Sequence, residues 1–149
     1  MVALYMEVEF LTGVSVAASP YSREETEWPP HPDRLFQALA AAWGRNDPPL
    51  EDEGEALEWL ERLPHDSLRI LAPQGGTRDT VQVMVPVNDT PDPSVRKPRY
   101  FPAVVLPDDC RVIRYVWELP PEEAAELARH RPVLARLARE VIYLGHSRT

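Results

Sequence analysis

Residues 2–10, VALYMEVEF, alternate apolar and polar side chains with a period of two. This period predicts a half-buried β-strand, because successive side chains of a strand point to opposite faces. The face towards the core would carry Leu4, Met6, Val8 and Phe10. The rest of the fold can be read outward from this strand.

A helix is predicted after an aperiodic loop at 13–30. Pro32 suits the first helical position, Asp33 lies favourably near the positive end of the helix dipole, and Gly44 suits its termination. Its apolar face would carry Leu35, Phe36, Leu39 and Trp43.

The remaining segments give a strand–helix order around one long insertion. A shorter helix with Leu57, Leu60 and Leu63 inward precedes a strand through Leu68, Ile70 and Ala72. The proline-rich insertion at 73–110 holds a ribbon strand with Val81, Val83 and Val85. A strand at 111–118, a helix from Pro120 to Ala138 that is kinked or interrupted at Pro132, and a last strand at 140–144 complete the chain.

This order predicts an α+β fold of the ferredoxin-like βαββαβ type, with a proline-rich β-ribbon inserted before its third strand. Helices would cover one face of the sheet and leave the other open, as in RNA-recognition modules. The 149 residues suit a single domain.

Composition excludes several classes of protein. The single cysteine rules out an internal disulfide and a cysteine-built metal site, and no cofactor or metal ion is expected. No apolar run reaches about 18 residues and the N-terminus lacks a signal peptide, so we expect a cytoplasmic protein without a membrane or small-molecule partner.

The net charge of −8 is unevenly distributed. Residues 47–66 are strongly acidic, whereas 96–149 are rich in arginine, which binds phosphate in bidentate fashion and stacks on bases. We expect the basic part to contact RNA, and the acidic stretch to be either a solvated face or a dock for a neighbouring subunit.

The sharpest candidate site is a cluster of cations and aromatic rings: Arg96, Lys97, Arg99, Tyr100 and Phe101. Such residues pair with phosphates and stack on unpaired bases. Pro98 and Pro102 would order the segment and lower the entropy lost on binding. Further candidate RNA contacts are Arg78, Arg111, Arg114 and Arg148.

Several segments together resemble a known family. They are Phe10 to Gly13, Glu27 to Leu35 (EWPPHPDRL), Val85 to Asp89 (VPVND), Pro98 to Val104 (PRYFPAV) and Tyr143 to Ser147 (YLGHS). In this order they resemble the type I-G (formerly type I-U) CRISPR-associated subunit of the RAMP superfamily, a fusion of a crRNA five-prime-handle-binding protein with a crRNA-processing endonuclease.

The resemblance implies a non-catalytic Cascade subunit that binds the crRNA handle, contacts the backbone and large subunits, and serves antiviral defence. It implies that 1–149 is the N-terminal, handle-binding half of a longer protein, and that 73–110 is the thumb such subunits carry. One departure is His31, where the family favours a small residue.

Two alternatives stay open. The domain could process pre-crRNA as a metal-independent endoribonuclease that uses His31 or His146, because a histidine can move protons to and from a ribose hydroxyl. It could also be a structural adaptor of the complex that contacts only protein.

Overall fold

The computed structural model describes residues 1–92 and 94–146. Within them, the strands are β1 (Val2–Glu9), β2 (Val14–Val16), β3 (Leu68–Leu71), β4 (Thr77–Pro86), β5 (Arg96–Val105) and β6 (Val112–Leu119). The α-helices are α1 (Pro32–Gly44), α2 (Glu51–Arg62) and α3 (Ala124–Ala138).

The first sheet has the antiparallel order β1-β6-β3, and its apolar face forms the core with the three helices. Leu4 lies opposite Trp117 and Ile70 lies opposite Tyr115, so the alternating apolar residues of all three strands share that face. The helices contribute the buried residues Leu35, Leu39, Leu57, Leu60, Leu134 and Leu137. The predicted α+β, ferredoxin-like fold with an inserted β-ribbon is confirmed.

The predicted last strand at 140–144 is wrong. The backbone turns after α3, where the N–H groups of Glu140 and Val141 donate to carbonyls of the last helical turn at 3.0 and 3.3 Å. Arg45 donates to the carbonyl of Glu140, and Leu144 is buried. The segment therefore reaches the core through Leu144, with Val141 packed against it, and a groove of about 360 Å³ lies between the segment and β1.

Two other expectations fail for identifiable reasons. Of the two effects expected at Pro132, the interruption does not occur: α3 is continuous there, because buried Leu127 and Leu134 hold both halves of the helix against the core. A proline removes a single N–H bond, and packing can offset that cost. The predicted loop at 13–30 contains strand β2, which three residues are too few to reveal by periodicity.

The segment before α1 is held by its own side chains. His31 is the N-cap of α1, and its Nδ1 accepts from the N–H of Asp33 at 3.3 Å. Glu27 accepts from the His31 N–H at 2.8 Å and from Arg34 Nε at 2.7 Å. Burial raises the pKa of Glu27, but these hydrogen bonds outweigh that effect and leave the pKa lowered. Glu27 therefore joins the loop to the helix as a carboxylate.

Tyr115 of β6 holds the segment before α1 against the first sheet. Its side chain is fully buried on β6, and its hydroxyl donates to the carbonyl of Pro30 at 2.8 Å. We expect Tyr115→Phe to lower the free energy of unfolding by about 1–3 kcal/mol, because the buried carbonyl would lose its donor. Urea denaturation measures the change. Tyr5→Phe is the control, since Tyr5 is exposed on β1, and an equal loss in both variants would contradict the assignment.

The same phenol predicts a pH dependence of stability. Burial raises the pKa of Tyr115 above that of an unfolded tyrosine, which is about 10. The contribution of Tyr115 to stability is therefore fully present below about pH 10 and is lost as the pH rises further. Between pH 7 and roughly pH 11, the wild type should lose more stability than Tyr115→Phe. Equal losses would show that the phenol ionises as easily in the folded state.

Candidate nucleic-acid interface

Strands β4 and β5 form a long ribbon that leaves the body between β3 and β6. At its root β2 pairs with residues 103–105 of β5, which completes a second antiparallel sheet of order β2-β5-β4. The ribbon is about 30 Å long at the usual rise per residue. At its root, Val104 and Leu106 belong to the core, and a Cβ on Gly76 would lie 2.4 Å from Val104. Towards the tip, residues 96–100 are all exposed. The root anchors the ribbon, and its outer half is available to a partner.

Prolines are compatible with β5 because of where they fall. Pro98 lies opposite Met84 and Pro102 lies opposite Thr80. A proline has no N–H, so both must occupy positions that are not hydrogen-bonded to β4, with their nitrogens towards the outer edge. The edge of β5 beyond β2 thus lacks two of its backbone donors, which discourages pairing with another strand. On the β5 side, a partner would therefore contact the side chains of the ribbon.

The predicted cluster divides between the two faces of the ribbon. Arg96 and Tyr100 lie on one face, and Lys97, Arg99 and Phe101 lie on the other. Tyr100 is 63% exposed. Phe101 is half-buried near the root, with its ring 4.6 Å from that of His146. Tyr100 and Phe101 therefore cannot stack on the same base, and of the two rings only that of Tyr100 is well exposed.

The two faces can be defined by their residues. The polar face carries Arg78, Thr80, Gln82, Met84, Arg96 and Tyr100. The valine face carries Asp79, Val81, Val83, Val85, Lys97, Arg99 and Phe101. On the valine face, Arg99 lies directly opposite Val83 and Lys97 opposite Val85, so their aliphatic stems can cover the valines while their charged groups reach water.

Within the described chain, three of the four ribbon cations lack the ion pairs that many arginines of the body make. Among the described residues, Arg78, Lys97 and Arg99 have no carboxylate within ion-pair distance. Strands β4 and β5 carry four cations and one carboxylate, Asp79. The ribbon is therefore a strip of positive charge on a protein of net charge −8.

Arg111 lies away from this strip. Its guanidinium pairs with Asp108, contacts the Leu11 carbonyl at 3.4 Å and packs over Gly13, where a Cβ would lie 2.9 Å from it. Gly13 has a φ of 71°, so glycine suits both the backbone and the close contact. These contacts assign Arg111 to the junction between β1 and the second sheet.

Arg114 lies on the open face of the first sheet, where it pairs with Glu7. On the same face, Arg69 pairs with Glu118 at 3.0 Å. Glu9 adds a further carboxylate beside them. This face, which RNA-recognition modules use for binding, is therefore charge-compensated here and does not join the ribbon cations.

The acidic stretch is partly neutralised within the molecule. Arg136 of α3 pairs with Asp52 at 2.7 Å and with the fully buried Glu53 at 2.9 Å, and Arg129 pairs with Glu55. These pairs join α2 to α3. Arg129 and Arg136 of α3, which the sequence grouped with the RNA-binding end, thus stabilise the fold.

Two further residues bear on the candidate site. Arg148 is outside the described residues. Gln82 was missed by sequence reasoning: it lies directly opposite Tyr100 on the polar face. The alternation of Val81, Val83 and Val85 predicts that Gln82 points to the opposite face of β4. The sequence does not show that Tyr100 is its cross-strand neighbour, because that requires the pairing of β4 with β5.

Within the described parts of the chain, no group of three or more histidine, cysteine or acidic side chains could hold a metal ion, and no helix has the length and apolarity needed to cross a membrane. The fold and the ribbon together define an α+β domain of the ferredoxin-like type with a cationic insertion.

Residues 1–90 match the CRISPR-associated protein, GSU0054 family, so the chain belongs to that family and has a role in CRISPR defence. The matched residues include the first sheet except β6, helices α1 and α2, and strand β4, and they end before β5. No curated protein and no solved structure matches the chain.

Proposed function

We propose that this domain binds the five-prime handle of crRNA through the β4–β5 ribbon and caps one end of the backbone filament of a type I-G Cascade complex. It does so as a RAMP-superfamily subunit, without cutting RNA. The observation that carries the proposal is the exposed ribbon, on which Arg78, Lys97 and Arg99 lack carboxylate partners among the described residues while Tyr100 presents a bare ring.

Physical chemistry favours single-stranded RNA as the ligand of such a ribbon. Unpaired bases stack on aromatic side chains, and arginines bind the phosphates between them. The compensated open sheet makes a second RNA surface there unfavourable, because breaking its ion pairs would offset part of the gain. Membership of a CRISPR-associated family supports crRNA as the source of the RNA.

Filter binding tests the proposal directly. We expect single-stranded RNA carrying the repeat-derived handle to bind more tightly than a scrambled RNA of equal length and composition. The logarithm of the association constant should fall linearly with the logarithm of the salt concentration, with a slope of about −0.7 per phosphate contact for a single strand. A structural adaptor would show neither handle preference nor salt dependence, and that result would refute the proposal.

The nucleolytic alternative is separated by a second experiment. The domain is incubated with repeat RNA in EDTA, alongside His146→Ala and His31→Ala. We expect intact RNA in every sample. A specific cut that is lost in either variant would make the domain an endoribonuclease. His31 already uses Nδ1 to cap α1, so His31→Ala needs a circular-dichroism spectrum to show that the helix persists.

A further inference from the structure

The polar face pairs an exposed ring with an exposed amide. Tyr100 and Gln82 lie directly opposite each other on neighbouring strands. Tyr100 lies two residues from both Pro98 and Pro102, so its backbone N–H points away from β4 as their nitrogens do. Tyr100 and Gln82 therefore form a pair that is not hydrogen-bonded through the backbone. Side chains of such pairs approach most closely, with Cβ atoms about 4.5–5.5 Å apart. The two side chains are therefore nearest cross-strand neighbours on the polar face.

The Gln82 amide retains most of its hydrogen-bonding capacity. Among the described residues, its Nε2 contacts the sulfur of Met84 at 3.8 Å, and a thioether is a weak acceptor. The carbonyl oxygen and the second N–H of Gln82 have no hydrogen-bond partner in the described part of the chain. An amide offers a donor and an acceptor side by side, which complements the donor–acceptor edges of nucleobases.

Cations flank this pair along the ribbon. Arg78 precedes Gln82 by four residues on β4, and Arg96 precedes Tyr100 by four residues on β5. Because the strands are antiparallel, one arginine lies towards the root and the other towards the tip, each about 13 Å from the pair. A strand of RNA along this face would meet a cation, then the ring and amide, then a second cation.

We propose that Gln82 determines base specificity: it reads the Watson–Crick edge of an unpaired base stacked on Tyr100, while Arg78 and Arg96 bind the phosphates on either side. This inference rests on the proposed function and assigns the reading of sequence to one residue of the polar face. The valine face, with Lys97 and Arg99, would contribute charge without sequence preference.

The experiment compares Gln82→Ala and Gln82→Glu with the wild type on synthetic handle RNAs in which each nucleotide is replaced in turn by the other three. We expect the wild type to discriminate about five- to hundredfold at one position, as a bidentate amide contact allows. Gln82→Ala should lose discrimination there and keep its salt dependence. Gln82→Glu should shift the preference at that position towards guanine, whose N1–H and N2–H both donate to a carboxylate.

Two matched controls separate this inference from the proposed function. Gln37→Ala removes an exposed amide on α1 and should change nothing. Arg99→Ala should weaken binding of all the RNAs by the same factor. Unchanged base preferences in Gln82→Ala, with tight binding retained, would overturn the inference and leave handle binding intact. Absence of RNA binding by the wild type would overturn both.

Discussion

Reversal of three ribbon charges, in Arg96→Glu/Lys97→Glu/Arg99→Glu, is expected to lower the affinity for handle RNA at least about a hundredfold. Each charge-assisted hydrogen bond contributes about 1.5–3 kcal/mol, and about 1.4 kcal/mol is a factor of ten in affinity. The new carboxylates would also repel the phosphates. Filter binding near 0.1 M salt measures the loss, and a thermal melt should show the fold unchanged, because residues 96–99 are exposed beyond the core.

Net charge needs its own control, since the protein is already acidic. Arg23→Glu/Arg131→Glu/Arg139→Glu reverses three exposed arginines outside the ribbon. Each replacement lowers the net charge by two, so both triple variants go from −8 to −14. We expect the control to bind within a fewfold of the wild type, because exposed charges beyond a Debye length of about 10 Å are largely screened. Equal losses in both variants would point to overall repulsion and remove the ribbon from the account.

The main elements of the body were predictable because local signals and tertiary contacts agree there. Helix α1 begins at Pro32 and ends at Gly44 as the sequence indicated. The alternating apolar residues of β1 and β6 lie against each other on one buried face. In these segments periodicity, capping and burial all favour the same structure.

The errors fall where a local rule competes with a nonlocal contact. Pro132 should break a helix, but the buried residues on either side of it keep α3 continuous. Residues 140–144 have strand-forming side chains, yet the turn after α3 and burial of Leu144 give them another way to pack. A segment forms a strand only where another strand pairs with it, and its own sequence does not show whether such a partner exists.

The sequence predicted which segment carries the candidate site, but it did not predict how the side chains of that segment are arranged on the surface. The sequence identified the cations and rings at 96–101, and the structure exposes residues 96–100. The sequence alone could not show that Arg114 pairs with Glu7 or that Arg136 pairs with Glu53, because each pair joins residues far apart in the chain. It also could not divide the cluster between two faces, since that requires the register of β4 on β5.

Phe10→Ala is expected to cause the largest loss of stability among single substitutions proposed for this domain, about 3–5 kcal/mol in the free energy of unfolding. The Phe10 side chain is 2% exposed and its ring lies 5.9 Å from that of Trp28. Its N–H donates to the carbonyl oxygen of Arg111 at 2.9 Å, and this backbone bond would survive the change. The cost therefore comes from the cavity left between β1 and the segment before α1.

Thermal and urea denaturation measure this loss, which corresponds to a fall in Tm of about 6–20 °C for a domain of this size. Leu11→Ala is the matched control: Leu11 is the next residue and is 79% exposed, so its truncation should change stability by less than about 0.5 kcal/mol. At a temperature where Phe10→Ala is folded, its RNA affinity should equal that of the wild type, because the ribbon cations lie on β4 and β5. A loss of RNA affinity without a loss of stability would place the Phe10–Trp28 contact in the binding surface and contradict the separation of body and ribbon.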